Sequence, residues 1–142
     1  IQRILKPKGL FAALDYDWPP VCRWPVEKVG NELAALTKQI EKEQTGGQAG
    51  IMRWHKSNHL DNLRASKLFC YTRELVFANT ITCSADRLYA LALSQSGMQF
   101  VLKHCPERIE AKLAEYRDLL NHTYGSQPFE ADFCYRMRIG IK

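Results

Sequence analysis

Leu10-Phe11-Ala12-Ala13-Leu14-Asp15-Tyr16-Asp17-Trp18 is the stretch that decides how the chain is read. It is a short run of apolar and small residues entered through Lys6-Pro7-Lys8-Gly9. That tetrapeptide is a turn, because glycine tolerates positive φ and proline cannot continue a preceding helix. The run has the composition of a buried strand, and Pro19-Pro20 stops it. Asp15, Tyr16, Asp17 and Trp18 are then delivered together at its carboxyl end, where open α/β sheets place their ligand sites. Upstream, Ile1, Ile4 and Leu5 are spaced like the last turn of an amphipathic helix. A chain that opens inside a helix, with no initiating methionine and no capping residue, reads as cut.

Working outward, Pro25 suits a first helical position, and Val26, Val29, Leu33, Leu36 and Ile40 recur at helical spacing to about Gln44. Thr45-Gly46-Gly47-Gln48-Ala49-Gly50 follows a helix and lacks a Gly-Lys-Ser/Thr ending, so it reads as a flexible loop and not a phosphate cradle. A second helical region reaches about Ser66, with Ser57 or Asn58 as its cap and Leu60 and Leu63 on its apolar side. His55 and His59 fall four apart there, but no further ligand stands at a metal-site spacing, and His59 reads as substrate-facing.

Leu68 to Ile81 is rich in aromatic and β-branched residues and reads as one long strand or two with a bend. Ser84 caps a helix that Ser94-Gln95-Ser96-Gly97 closes. Met98–His104 gives a short helical turn, and Pro106 opens a helix through Leu120. From Phe129 to Ile141, apolar Phe133, Tyr135, Met137, Ile139 and Ile141 alternate with Asp132, Cys134, Arg136, Arg138 and Gly140, the clearest strand signal in the chain. The expected fold is α/β in a single domain over 1–142. It has a small three-stranded mixed sheet, strands near 10–17, 68–81 and 129–141, covered by helices, with a helical insert at about 25–66.

The 142 residues, 46% hydrophobic and 25% charged, suffice for one domain with a substantial core. No apolar run approaches the roughly 20 residues that cross a bilayer, so no membrane partner is expected. Five cysteines, an odd number without a C-x-x-C pair, imply reduced thiols and a cytoplasmic setting. The net charge of +5 is spread along the chain, and Arg136, Arg138 and Lys142 lack the stacking aromatics of a nucleic-acid binder.

Arg3-Ile4-Leu5-Lys6-Pro7-Lys8-Gly9-Leu10-Phe11 is similar to the helix, Lys-Pro-Gly-Gly turn and fifth strand of class I S-adenosylmethionine-dependent methyltransferases. Tyr135 to Lys142 resembles their final antiparallel strand. Tyr71-Thr72-Arg73-Glu74 with Leu88 to Ser96 resembles the sixth strand and following helix of the small-molecule branch. The likeness spans the whole chain but only the carboxyl half of the family's Rossmann-like domain. Lys8 stands where the family has the first of two glycines. The family's glycine-rich cofactor loop and the acidic residue after its second strand have no counterpart here.

The resemblance implies an acceptor-substrate half, with S-adenosylmethionine as the parent family's cofactor and no cofactor held by this chain alone. Asp15, Tyr16, Asp17 and Trp18 would line the pocket, and His59, Arg73, Ser94 and Gln95 would touch a small-molecule substrate. The first strand, lacking a neighbour on one side, implies self-association or a rearranged amino-terminal segment. The other reading is a non-enzymatic module that binds a small ligand or a second copy of itself.

Overall fold

The structure, a computed structural model, describes residues 3–46 and 56–142. Gly47–Gly50 of the glycine-rich tract, His55 and the helical reading of Ile1 lie outside the described residues. The chain divides into two compact units. A sheet unit comprises Ile1–Asp17, Met52–Asn79 and Phe133–Lys142, and a helical unit comprises Trp18–Ile51 and Thr80–Asp132.

The sheet has three strands, β1 (Leu10–Tyr16), β2 (Tyr71–Cys83) and β3 (Phe129–Ile141), in the order β1-β3-β2. β1 runs antiparallel to β3, in a register from Leu10 opposite Ile141 to Tyr16 opposite Tyr135. β2 also opposes β3, since its beginning meets the end of β3 through Cys70 N–H to Ile141 O (2.8 Å). Near its other end, Thr80 pairs with Asp132. The expected mixed sheet is therefore corrected to an antiparallel one. β1 and β2 do point the same way, but they are not neighbours, because the last strand lies between them.

β1 itself is an edge. Its residues alternate between exposed and half-buried instead of being buried throughout, with Leu10 59% and Leu14 58% exposed. The buried-strand expectation fails because period-two alternation gives each residue only one face, and β1 has a neighbour on one side only. Opposite those leucines, Phe69 lies flat against Gly140, where a Cβ would come within 2.7 Å of its ring, and Phe69 also stacks on Phe11. Glycine at this point of β3 is what lets the aromatic ring reach the backbone.

The helical unit contains α1 (Trp24–Gln44), α3 (Ala85–Leu93), α4 (Ser96–His104) and α5 (Glu110–Tyr124). α2 (His59–Ala65) belongs to the sheet unit, so the expected insert at about 25–66 is divided between the two. Within the helical unit α1 packs on α5 and α4, and α3 on α5, burying their apolar stripes against one another. Val26, Leu33, Ile40, Leu88, Val101 and Tyr116 make the centre of that core. Gly30 of α1 faces α5, where a Cβ would make an ordinary packing contact of 3.5 Å with the Tyr116 ring.

Most local signals behave as the sequence reading expects; the cap of α2 does not. The Ser84 hydroxyl accepts from Arg87 N–H at 3.2 Å and caps α3, and Pro25 sits in the first turn of α1. Gly125, at φ 54°, stops α5. Asn58 precedes α2 without a side-chain capping bond.

Candidate ligand site

At the end of β1, alternation separates the residues that the sequence places together. Asp15 and Asp17 turn to one face of the sheet and Tyr16 to the other. On the first face they meet two arginines of β3. Arg138, only 2% exposed, donates from Nη1 to Asp15 Oδ2 at 2.7 Å and from Nε to Glu74 Oε2 at 2.6 Å. Its Nη2 donates to the Lys56 carbonyl at 3.2 Å. Arg136 donates to Asp17 Oδ2 at 3.0 Å and lies 3.5 Å from Glu74 Oε1. Lys56 Nζ stands 3.8 Å from Asp15 Oδ1, a buried atom without a hydrogen-bond partner. The Asp17 carboxylate holds the Arg136 guanidinium even more firmly protonated than usual. Both aspartates thus neutralise arginines, and Arg136 and Arg138 are spent on carboxylates instead of phosphates. Lys142, the third basic residue of that patch, donates from Nζ to Leu5 O at 2.8 Å.

Tyr16 joins an aromatic group on the other face, 6.5 Å from Tyr135 and 6.3 Å from Phe133, with Phe77 stacked on Tyr135. Arg73 is exposed in β2, and His59 is the first residue of α2. Trp18, Ser94 and Gln95 fall in the helical unit. The Ser94 hydroxyl and the Gln95 amide both donate to Leu91 O, at 2.8 and 3.1 Å, closing the end of α3. Of the eight residues read from sequence, none lines the cavity described next.

That cavity, about 700 Å³, opens in the helical unit where β2 nears its carboxyl end and β3 begins. A site at the carboxyl ends of strands is the usual ligand position in open α/β sheets. One wall is aromatic: Tyr124, the last residue of α5, stacks on Phe129, the first of β3, with rings 9° from parallel. Arg23 holds this wall from two sides. Its N–H donates to the Tyr124 hydroxyl at 3.1 Å, and its guanidinium lies 5.7 Å over the Tyr124 ring. The opposite wall is polar. Thr80 donates its hydroxyl to Asp132, and Asp132 exchanges two main-chain hydrogen bonds of 2.9 Å with Val21. Glu130 and Gln127 complete the polar lining.

Cys22 is also in this lining. Burial pushes its thiol up from the usual 9.0, opposed by the hydrogen bond with Tyr124. A thiol held toward its protonated form is a weaker nucleophile than an activated one. Among the described residues no group of three His, Cys, Asp or Glu could hold a metal. Sequence reasoning missed the site because its residues come from three separated segments; the one local sign is Tyr124 and Phe129 flanking the Gly125–Pro128 turn.

The raised acid constants make a pH prediction. Burial raises the thiols of Cys22 and Cys83 and the phenol of Tyr116 above their values in an unfolded chain. The folded state therefore keeps protons that the unfolded state releases first. These three groups leave stability unchanged between neutral pH and the approach to pH 9, and it falls as pH rises past the unfolded thiol value of 9.0. Thermal midpoints measured between pH 7 and 10.5 should show that fall, and a Cys22→Ala, Cys83→Ala variant should show less of it.

Among the described residues no glycine-rich turn joins a strand to a following helix. β1 is followed by Asp17, Trp18 and two prolines, where a cradle would need glycines opening onto a helix. Gly30 and Gly97 are buried or half-buried within helices, Gly125 ends one, and Gly140 lies under Phe69. Compared with models of known protein families the chain matches none, and no curated protein matches it. No described helix is long and apolar enough to cross a membrane.

Proposed function

We propose that this chain is the acceptor-substrate side of a small-molecule methyltransferase of the S-adenosylmethionine-dependent class, inactive without a cofactor-binding half. The observation that carries the reading is the strand order. The last strand runs antiparallel to both neighbours and lies between two strands that point the same way, which supports the likeness of Tyr135 to Lys142 to that family's final antiparallel strand. The cavity at the carboxyl end of β2 adds to it.

In this reading the chain's own share of the work is binding and orientation. Methyl transfer is an in-line displacement helped by positioning and by exclusion of water. The Tyr124 and Phe129 wall takes the flat part of the acceptor, and the Asp132 carboxylate, already bonded to Thr80, accepts from the acceptor's hydroxyl or amine. The second reading, a ligand-binding module without chemistry, is favoured by the missing glycine cradle.

An amide-resolved NMR titration with phenol, with a small primary amine and with S-adenosylmethionine tests the proposal. Phenol or the amine should shift Arg23, Thr80, Tyr124 and Asp132 with half-saturation near 1 mM or tighter, about 4 kcal/mol of binding free energy. S-adenosylmethionine should shift nothing saturably. Failure of both nucleophile classes to move the cavity residues overturns the acceptor role. Saturable binding of S-adenosylmethionine overturns the claim that the cofactor side is missing.

A further inference from the structure

We infer that the acceptor taken by the cavity is a ring-bearing primary amine in its charged form, its ammonium group held by Glu130 and Asp132. The inference rests on the acceptor reading of that cavity. Glu130 and Asp132 stand two apart at the start of β3, so the alternation of a strand turns both carboxylates to one face, and both line the cavity. Asp132 accepts the Thr80 hydroxyl with one oxygen. Among the described residues neither carboxylate has an ion-pair partner.

Two hydrogen-bond donors of the lining are already used. The Thr80 proton goes to Asp132, and the Tyr124 hydroxyl is bonded to Arg23 N–H and to the Cys22 thiol. The second oxygen of Asp132 and both oxygens of Glu130 stay open, and all three can only accept. An ammonium brings three N–H donors and no acceptor, whereas a hydroxyl brings one donor together with lone pairs that the carboxylates repel. Charge points the same way. Phe129 stacks on one face of Tyr124 with the ring centroids 3.5 Å apart, so the Arg23 guanidinium, 5.7 Å from the ring, lies over the other face. Arg23 is the one cation of the lining, and two carboxylates against it leave a net negative site. A ring that already carries a guanidinium also shows that the aromatic wall suits positive charge.

Benzylamine and benzyl alcohol, alike in shape and different in charge, are the probes. Their affinities at pH 7, read from NMR shifts of the cavity amides at low and high salt, are compared on the wild type, Glu130→Gln and Asp132→Asn. An exposed ion pair strengthens binding by up to about fivefold, so two carboxylates should place benzylamine about tenfold ahead of benzyl alcohol at low salt. The lead should shrink at high salt. Each substitution should weaken benzylamine about threefold and leave benzyl alcohol unchanged. Equal affinities for the two probes overturn the amine assignment and leave the acceptor cavity standing. Benzylamine binding that neither substitution weakens overturns it too. Binding of neither probe overturns the assignment and the acceptor reading together. Should a variant fail to fold, the wild-type ratio and its salt dependence decide.

Discussion

Arg138→Met should destabilise the chain by about 3 kcal/mol or more, the usual loss when one partner of a buried ion pair is removed. Among the described residues of the sheet unit Arg138 is the one charged residue that is fully buried, and its guanidinium joins all three strands through Asp15, Glu74 and its own place in β3. Methionine fills much of the volume but leaves Asp15 and Glu74 facing each other across it. Lys56 at 3.8 Å and Arg136 at 3.5 Å soften the loss, which places it at the lower end of the 3–5 kcal/mol range. Urea denaturation should show the midpoint fall with little change in slope. Adding Asp15→Asn and Glu74→Gln to Arg138→Met should recover more than half of the loss, because no uncompensated charge remains. A loss under about 1 kcal/mol for Arg138→Met would place the network among solvent-screened surface pairs.

Tyr116→Ala should cost about 3–5 kcal/mol, the range for large aromatic side chains removed from a packed core. Tyr116 is 1% exposed on α5 and packs against α1 beside Gly30. Neither helix can follow the lost ring inward without disturbing Ile40 and Leu120, both fully buried, so the cavity stays open. Tyr116→Phe keeps the ring and should cost much less, which separates packing from the hydroxyl. Thermal unfolding of the two variants at pH 7 reads the difference. Equal losses would mean that the phenol, and not the ring, holds the helices.

What could be read from sequence was what neighbours in sequence decide. β3 was legible to its ends because strict alternation over 13 residues has no helical reading. The Ser84 cap and the long α1 were legible because each is fixed within a few residues. The partners of Asp15 and Asp17 were not: Arg138 and Arg136 lie 123 and 119 residues away. Only the insertion of β3 beside β1 brings them there. Grouping Asp15, Tyr16, Asp17 and Trp18 by position overlooked that a strand sends successive side chains to opposite faces. The cavity was hidden for a related reason, since Arg23 and Tyr124 are 101 residues apart and meet only through the packing of the helical unit.

The strand order carries both the antiparallel sheet and the functional proposal, so the most direct measurement is the map of Hα–Hα nuclear Overhauser contacts between strands. Even-numbered residues of β1 form the close, non-hydrogen-bonded pairs with β3, roughly 4.5 Å between Cα atoms. Strong contacts are expected between Ala12 and Ile139 and between Leu14 and Met137, with none joining Leu10–Tyr16 to Tyr71–Cys83. Contacts that place β1 directly beside β2 would contradict the insertion of the last strand, and the methyltransferase reading would fall with it.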